Sequence, residues 1–434
     1  MNQRFYSTKS PGKFVGVKEA VLRSLPADNG LYMPETLEPL GQDFWQEWRD
    51  LDFAELGFRI ARQIFRDSVP ESELHRIVTE AVSFPAPTVK VTEREHVLEL
   101  FHGPTLAFKD FGARFMARLM GWLTRDDEGV LTVLVATSGD TGGAVASAFH
   151  NVPGTRVVIL YPKGKVSGLQ EKQLTTLGGN ITALEVDGSF DDCQRLVKSA
   201  FLDREMSERM NLTSANSINI SRLVPQSFYY FEAARQLPEG ELPVFVVPSG
   251  NFGNLTAGLL GEQLGLKVKR FVAATNSNDV VPEYLASGTY APRPSVPTIS
   301  NAMDVGAPSN FARMEHIFGA QWEKMKGRVE GFAFSDEATR ETISRVKSET
   351  GYTLEPHGAV GWLAAEAWRK AHGDDHMIVL ETAHPSKFLD VMEEELGKGG
   401  VVVPERLACL AEREKVAIPM TADEGEFHKW LASY

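Results

Sequence analysis

Cysteine is scarce in this sequence. Its 434 residues include two cysteines, Cys193 and Cys409, which lie far apart without a second cysteine or a histidine at metal-ligand spacing. Such usage indicates neither a disulfide framework nor a zinc site, and it fits a reducing compartment. We therefore expect no metal, and we interpret both cysteines as packing residues because neither has a visible base partner.

Long apolar runs and an excess of basic residues are also missing. No stretch approaches the roughly 20 apolar residues that cross a bilayer, and the N-terminal residues lack the apolar segment of a signal peptide. Acidic residues outnumber basic ones, 58 to 45, for a formal net charge of -13. We expect a cytoplasmic protein that binds neither nucleic acid nor membrane, with no obligate protein partner. Any anionic ligand must then be held by a local group of donors.

The pattern from Val97 to Leu396 is that of an α/β protein. Apolar runs typical of buried strands alternate with helical patterns, which predicts parallel sheets covered by helices. The strands are predicted at Leu131–Thr137, Arg156–Tyr161, Ile181–Val186, Val244–Pro248, Val268–Thr275 and Met377–Glu381. The helices are predicted at Ala144–Phe149, Phe190–Met210, Gln226–Gln236, Asn254–Leu264, Asp336–Thr350 and Gly358–Ala371.

The first 95 residues lack this alternation and show short helical patterns instead, at Phe44–Asp52, Phe53–Phe65 and Glu71–Val82. We therefore divide the chain into a helical cap over residues 1–95 and two α/β domains over residues 96–235 and 236–434. The stretch from Pro282 to Pro308 is rich in proline and poor in periodic apolar positions, which predicts a long surface loop.

The most informative segment is HGPTLAFKDFG, from His102 to Gly112. It lies between a strand-like run and an amphipathic helix, so Lys109 is placed at a loop-to-helix junction beside Phe108. Partial desolvation there would lower the pKa of the amine and favour Schiff-base formation. The alternative is a surface lysine at a helix start, which is the commoner situation for a lysine.

Two glycine-rich turns each follow a predicted strand and precede a helix. In one, Val244–Pro248 leads into SGNFGN at Ser249–Asn254; in the other, Leu134–Ala136 leads into TSGDTGG at Thr137–Gly143. Backbone N–H groups at such a turn can point at one anion, and glycine allows its close approach. Tight packing alone is the alternative. Neither turn has the spacing of a nucleoside-triphosphate loop or a dinucleotide loop.

Together these segments resemble the threonine synthase family, whose members are fold-type II pyridoxal phosphate (PLP) enzymes similar to tryptophan synthase β. The similarity runs from Asn29–Pro34 through His102–Asp110, Ala215–Arg222 and Ser249–Asn254 to Glu381–Phe388. It is closest to the shorter microbial and fungal branch. The resemblance implies two parallel-sheet α/β domains with a helical N-terminal cap.

The resemblance implies that Lys109 is the catalytic lysine and forms the Schiff base with PLP. Thr382 falls where the family places a hydroxyl beside the pyridine nitrogen, and Asp140 falls near the cofactor's 3′-oxygen. An acid there would repel an oxyanion unless it is protonated or directed elsewhere. The implied cofactor-binding residues are Lys109, Phe108, Asp140, Gly250, Asn251, Phe252, Gly253, Asn254 and Thr382.

The implied substrate site has two parts. The turn of Thr137, Ser138, Gly139 and Thr141 resembles the site of the substrate α-carboxylate. The candidates for a substrate phosphate are Lys163, Asn216, Ser217, Asn219 and Arg222, because arginine grips phosphate bidentately and amides complete its hydrogen bonds. His102 and His384 are acid/base candidates by residue type, although each could instead order a loop.

The implied reaction converts O-phospho-L-homoserine and water to L-threonine and phosphate, the last step of threonine biosynthesis. A related phospho-amino-acid phospholyase that stops at elimination is an alternative, and so is a serine/threonine dehydratase. A non-catalytic binding protein of the same fold is a third. A monomer or a homodimer fits the sequence equally.

Overall fold

The computed structural model describes residues 2–434. The strands are β1 Phe5–Ser7, β2 Ser10–Val15, β3 Tyr32–Pro34, β4 Thr88–Lys90, β5 Glu95–Glu99, β6 Leu131–Ala136, β7 Thr155–Pro162, β8 Ile181–Asp187, β9 Leu212–Ser214, β10 Val244–Pro248, β11 Arg270–Thr275, β12 Val329–Ala333, β13 Met377–Glu381 and β14 Ile418–Thr421.

The α-helices are α1 Val17–Arg23, α2 Gln42–Glu47, α3 Phe53–Phe65, α4 Glu71–Ala81, α5 Lys109–Leu123, α6 Asp140–Phe149, α7 Gly168–Thr175, α8 Phe190–Leu202, α9 Arg204–Arg209, α10 Ile220–Leu223, α11 Phe228–Gln236, α12 Gly253–Gln263, α13 Val280–Ser287, α14 Phe311–Ile317, α15 Trp322–Lys326, α16 Asp336–Thr350, α17 Pro356–His372, α18 Leu389–Leu396, α19 Glu405–Ala411 and α20 Glu424–Ser433. Short 3₁₀ helices lie at Val224–Ser227, Asn301–Met303 and Pro385–Phe388.

Two twisted sheets with helices on their faces form the main body. A five-stranded sheet has the order β14-β8-β7-β6-β9 and is parallel throughout. A six-stranded sheet has the order β12-β11-β10-β13-β5-β4 and is parallel except for the β4–β5 pair. This architecture confirms the predicted α/β fold class. All residues of β6, β10 and β13 are buried, which explains why their sequences are apolar without alternation.

The N-terminal segment contains a sheet as well as helices. Strands β2, β1 and β3 pair antiparallel in that order, and α1 to α4 accompany them. The sequence predicted a helical cap, because β1 and β3 have only three residues each and the six residues of β2 are mostly exposed, so these strands show no clear alternation. Helix α3 has the predicted bounds and begins after Asp52, whose side chain accepts a hydrogen bond from the N–H of Glu55.

The chain crosses between the sheets in two places. Strand β5 lies in the segment that links the cap to the first α/β domain, yet it pairs with β13 in the six-stranded sheet. Near the other end of the chain, β14 returns to the five-stranded sheet and pairs with β8. The division at residues 95 and 235 stays a prediction about which parts fold together, since each sheet receives strands from distant parts of the chain.

Two local predictions need correction. The single helix predicted over Phe190–Met210 is two helices, because Asp203 ends α8 and caps α9 by accepting from the N–H of Met206. The long loop predicted over Pro282–Pro308 is shorter than expected. Its first residues belong to helix α13, which ends at Ser287, and a 3₁₀ turn interrupts the rest at Asn301–Met303. Along residues 2–434, no helix has the length and apolar content needed to cross a membrane.

The sheets share a core with the cap. One continuous apolar cluster joins α3 and α5 to the inner faces of both sheets, so the elements that end at the central cleft are held by common packing. A separate cluster covers the outer face of the five-stranded sheet, where α20 contacts α8 and β14 and buries Phe427 and Leu431 in the same cluster as Met420. The C-terminal helix therefore covers a sheet whose first strand in the chain, β6, begins at Leu131.

This packing makes Phe427→Ala a test of the C-terminal helix. The ring is fully buried, so its removal leaves a cavity and is expected to lower the free energy of unfolding by about 3 kcal/mol. Val402→Ala is the control, because that side chain is 82% exposed and its truncation is expected to change stability by less than about 0.5 kcal/mol. Denaturant unfolding followed by circular dichroism measures both, and equal effects would contradict the assigned packing.

Candidate active site

A cleft lies where the carboxyl ends of strands from both sheets meet. Strand β6 leads into the turn at Thr137, β10 leads into Ser249, and β13 leads into Thr382, as expected for ligand sites in open parallel sheets. The residues that line the cleft include Phe108, Lys109, Ala136, Thr137, Ser138, Asp140, Thr141, Asn216, Ser217, Arg222, Gly250, Asn251, Phe252, Gly253, Asn254, Ala302, His357 and Thr382.

Lys109 is the first residue of α5 and extends into this cleft. The loop before it is held by Asp110, whose buried carboxylate accepts from the N–H and the hydroxyl of Thr105 at 2.8 and 2.7 Å. The Lys109 side chain is 16% exposed, and its Nζ lies 5.2 Å from the centre of the Phe108 ring. Burial lowers the pKa of the amine, although Asp140 opposes this shift. The predicted desolvated lysine is present.

Asp140 begins α6 and is directed toward a second lysine. Its Oδ1 lies 2.6 Å from Nζ of Lys387 and accepts from Nε2 of Gln170 at 2.8 Å, while Oδ2 is 3.9 Å from Nζ of Lys109. Burial would raise the pKa of the carboxyl, but Lys387 and Lys109 hold it well below its usual value. Asp140 is therefore ionised and paired with Lys387. This pairing explains how a buried carboxylate is tolerated in the cleft.

The loop after β10 approaches its neighbours without room for a side chain. A Cβ on Gly250 would lie 2.6 Å from the carbonyl oxygen of Ala302. Phe252 takes a left-handed φ of 60° directly before α12, and the side chain of Asn251 accepts from the N–H of Ser309 at 2.9 Å. The loop thus presents backbone and the N-terminus of an 11-residue helix to the cleft, which is a suitable anion site.

The turn after β6 has the same construction. The hydroxyl of Thr137 accepts from the N–H groups of Gly139 and Gly142 at 3.0 and 2.8 Å, which fixes the turn at the start of α6. Gly139 has a φ of 140°, and a Cβ there would lie 2.7 Å from Oε1 of Gln170. Both predicted turns therefore need glycine for conformation or for close approach.

Thr382 directly follows β13, and its carbonyl accepts from the N–H of Phe108 at 2.9 Å. This bond ties the end of the six-stranded sheet to the start of α5. The hydroxyl of Thr382 donates to Oε1 of Glu355 at 3.0 Å, and His357 lies on the other carboxylate oxygen at 2.6 Å. Thr382 is thus placed in the cleft with an acid behind it.

Arg222 brings a buried guanidinium to the cleft. Its Nη1 donates to the carbonyl of Ala215 at 2.5 Å, and its Nε has no hydrogen-bond partner in residues 2–434. Burial lowers the pKa of the guanidinium to about 10, and the described chain places no carboxylate within 4.0 Å. Asn216 and Ser217 line the same region, where Asn216 donates to the carbonyl of Ala136.

Two predicted phosphate ligands are not brought to the cleft. Asn219 is fully buried, and its amide donates to Val21 and Ser24 while its oxygen caps α10. Lys163 is exposed at the end of β7 and does not line the cleft. A sequence motif cannot separate a phosphate ligand from a helix cap, because an asparagine amide can donate to an anion or, as here, use its oxygen to accept from the N–H of Ser221 at the start of α10.

The two histidine candidates hold loops. Nε2 of His102 lies 2.8 Å from Oε2 of Glu99, and His384 caps the following 3₁₀ turn by accepting from the N–H of Ser386. Neither lines the cleft. Burial lowers the pKa of His384 to about 4, which keeps this ring neutral. Cys193 is buried in the outer core of the five-stranded sheet, and Cys409 is exposed.

Sequence reasoning missed the residues that stand behind the cleft, namely Gln170, Glu355, His357 and Lys387. Lys387 lies within Glu381–Phe388, a segment that carries the family resemblance, but the resemblance implies no role for it. Glu355 precedes Pro356 and Gly358 at a helix start, a pattern that predicts a cap. No local signal connects either residue to a partner elsewhere in the chain.

Comparison with protein families gives three matches along the chain. Residues 79–382 match the model described as pyridoxal-phosphate dependent enzyme. Residues 4–82 match the model described as threonine synthase N terminus, and residues 358–430 match threonine synthase, C-terminal. The first match contains the entire cleft, and the other two cover the cap and the end of the chain.

Similar proteins and solved structures agree with these matches. Threonine synthase of Serratia marcescens is 45% identical over 99% of both chains, and that of Escherichia coli K12 is 44% identical over 99% of this chain and 100% of its own. The crystal structure of the Escherichia coli enzyme superposes with a TM-score of 0.92, covering 99% of both chains. PLP-bound threonine synthase from Brucella melitensis, 33% identical, gives 0.91 and covers 99% of both chains. The chain therefore belongs to the threonine synthase family of pyridoxal-phosphate dependent enzymes.

Proposed function

We propose that the protein converts O-phospho-L-homoserine and water to L-threonine and phosphate with the help of PLP. The observation that carries this proposal is the meeting, in one cleft, of a desolvated lysine amine and a buried arginine that forms no ion pair with a carboxylate of the described chain. Lys109 suits the aldehyde of the cofactor, and Arg222 suits a phosphate on the substrate. The names of the similar proteins support the same reaction.

The residues of the cleft fit PLP. Lys109 would bond to its aldehyde carbon, and the backbone of 250–254 at the start of α12 would hold its phosphate, since the contact of Gly250 leaves no space for a side chain. Thr382 would lie beside the ring nitrogen. When bound, the cofactor would withdraw electrons from the substrate α-carbon and stabilise the charge left by a departing proton.

Lys109 would move the protons at the substrate carbons. Burial lowers the pKa of its amine, so the neutral base is populated closer to neutral pH than in an exposed lysine. The carboxylate of Asp140 acts in the opposite sense, but it is shared with Lys387. Lys387 thus limits how strongly Asp140 stabilises the charged form of Lys109.

Arg222 would grip the substrate phosphate before and after it leaves. Its Nε lies against Gly112 of α5 and its Nη1 donates to the carbonyl of Ala215, which fixes the guanidinium at the wall of the cleft. Asn216 and Ser217 would complete the hydrogen bonds of the phosphate. Because a plain serine/threonine dehydratase acts on a substrate without phosphate, this arrangement favours a phosphorylated substrate. A phospholyase shares it and differs in the fate of the product.

The decisive experiment is a product assay with purified protein, PLP and O-phospho-L-homoserine, which measures threonine, 2-oxobutyrate and phosphate together. We expect threonine and phosphate in equal amounts. Lys109→Ala is expected to abolish both, because the base and the covalent attachment point are lost. Lys267→Ala is the matched control, since Lys267 is exposed and does not line the cleft.

Each other outcome of this assay has a definite meaning. Phosphate with 2-oxobutyrate would replace the synthase by a phospholyase. Bound cofactor without any turnover would show that the substrate is wrong. Cytoplasmic location, the absence of an obligate partner and the choice between monomer and homodimer stay predictions of the sequence.

Arg222→Met is expected to lower kcat/KM for the phosphorylated substrate roughly 100-fold, because a buried charge partner of the phosphate is lost. Arg222→Lys keeps the charge without the planar fork, so its kcat/KM should lie between those of the wild type and Arg222→Met. Lys163→Ala is the comparison, and its kinetics should match the wild type since Lys163 lies outside the cleft. A larger loss in Lys163→Ala than in Arg222→Met would reverse the assignment of the phosphate site.

Asp140→Asn is expected to lower the pKa of Lys109 further. The carboxylate favours the ammonium form, so its removal favours the neutral amine and moves the titration to lower pH. The pH dependence of Lys109 labelling by an amine-reactive reagent, measured by mass spectrometry on cofactor-free protein, gives the midpoint. Asp191→Asn, an exposed control, should leave it unchanged. A midpoint that rises in Asp140→Asn would contradict the proposed balance.

A further inference from the structure

Glu355 is a fully buried carboxylate that accepts four hydrogen bonds. Oε2 accepts from the N–H and from Nδ1 of His357 at 2.8 and 2.6 Å. Oε1 accepts from the N–H of Gly358 at 3.2 Å and from the hydroxyl of Thr382 at 3.0 Å. The carboxylate also caps the 17-residue helix α17, whose N-terminus stabilises negative charge.

The hydrogen positions in this network follow from its partners. Nε2 of His357 lies 3.2 Å from the N–H of Ala302, so this ring nitrogen is the acceptor. A neutral imidazole then carries its hydrogen on Nδ1 and donates it to Glu355. Both backbone N–H groups can only donate. The simplest complete assignment makes Glu355 an ionised acceptor of four hydrogens, one of which comes from Thr382.

The neighbouring acid Glu381 does not compete for this role. Its Oε1 accepts from the N–H of Glu355 at 2.6 Å, and its Oε2 is buried without a partner in the described chain. Burial, reinforced by the charge of Glu355, raises the pKa of Glu381 well above its usual value. Tyr352 donates its hydroxyl hydrogen to Oε1 of Glu99 at 2.9 Å and so is not a donor to Glu355. Of the neighbouring acids Glu355 and Glu381, Glu355 is therefore the one that carries the negative charge.

The consequence concerns the face of Thr382 that lines the cleft. A hydroxyl has one hydrogen, and Thr382 gives it to Glu355, so only lone pairs remain for a ligand. An unprotonated pyridine nitrogen is itself an acceptor and would meet another acceptor. A protonated pyridinium N–H would instead donate to the oxygen of Thr382, and the negative charge of Glu355 behind that hydroxyl would stabilise the positive ring.

We propose that Glu355 is a positioning residue that acts through Thr382 to select the ring-protonated form of the cofactor. This inference rests on the proposed function, in which Thr382 lies beside the ring nitrogen. Thr382 and Glu355 together then stabilise the protonated ring nitrogen as a carboxylate would, although the residue that contacts the ring is a threonine. A protonated ring withdraws electrons more strongly, which favours removal of the α-proton by Lys109.

The test is the ¹⁵N chemical shift of the ring nitrogen in holoenzyme loaded with ¹⁵N-labelled PLP. We expect the wild type at the pyridinium position and Glu355→Gln at the neutral pyridine position. Glu381→Gln is the matched control, because it replaces a neighbouring buried acid by an amide of the same shape and should leave the shift unchanged. The apparent dissociation constant of PLP should rise roughly 10-fold in Glu355→Gln and stay unchanged in the control.

Glu355→Gln also alters the cap of α17, so a second pair of variants tests the hydrogen bond to Thr382 without changing that cap. Thr382→Val removes the hydroxyl and keeps Glu355 as the cap, so it should give the neutral pyridine shift. Thr382→Ser keeps the hydroxyl and should restore the pyridinium shift. A purely structural role of Glu355 would leave the Thr382→Val shift at the pyridinium position and would overturn the inference.

Failure of this inference and failure of the proposed reaction give different results. A neutral ring in the wild type, or an unchanged shift in Glu355→Gln, overturns the role of Glu355 while threonine production stands. A pyridinium shift that depends on Glu355 in a protein that makes no threonine keeps the inference and removes the reaction. Absence of any signal from bound cofactor overturns both.

Discussion

The ion pair between Asp140 and Lys387 is the contact on which the geometry of the cleft depends. Nζ of Lys387 also donates to the carbonyl of Thr105 at 2.9 Å, in the loop that leads to Lys109. One buried ammonium therefore joins the start of α6, the turn after β13 and the loop before α5. A buried charge is tolerated only when it is paired and hydrogen-bonded, so these three segments cannot separate without a large cost in free energy.

The same constraint sets the electrostatics of the cleft. Lys109, Lys387 and Arg222 bring three buried cations together, whereas Asp140 faces the two lysines and the buried Asp110 is the acid that acts on Arg222. The local excess of positive charge contrasts with the formal charge of -13 for the whole chain. Anionic groups such as the phosphates of PLP and of the proposed substrate would balance this positive charge. Glu355 lies behind Thr382 and contributes through a hydrogen bond rather than as a second bare charge in the cleft.

The elements that the sequence predicted best are those with a strong local signal. Strands β10 and β13 have the predicted bounds because each is a continuous apolar run buried on both faces. The cap sheet and the return of β14 escaped prediction, since short strands carry little periodicity and their pairing is decided by distant partners. Asn219 and Lys163 matched a ligand pattern, yet one is committed to local hydrogen bonds and the other is exposed.

The sequence by itself determined the α/β class, the lysine at a helix start and two turns that require glycine, because apolar periodicity and backbone freedom are properties of neighbouring residues. The tertiary structure decided which charges are paired. Lys387 and Thr105 are 282 positions apart, and Glu355 and Thr382 are 27 apart. Such partners meet only after the sheets have formed, and the low dielectric of the buried cleft then gives their hydrogen bonds and charges the strength on which the site depends.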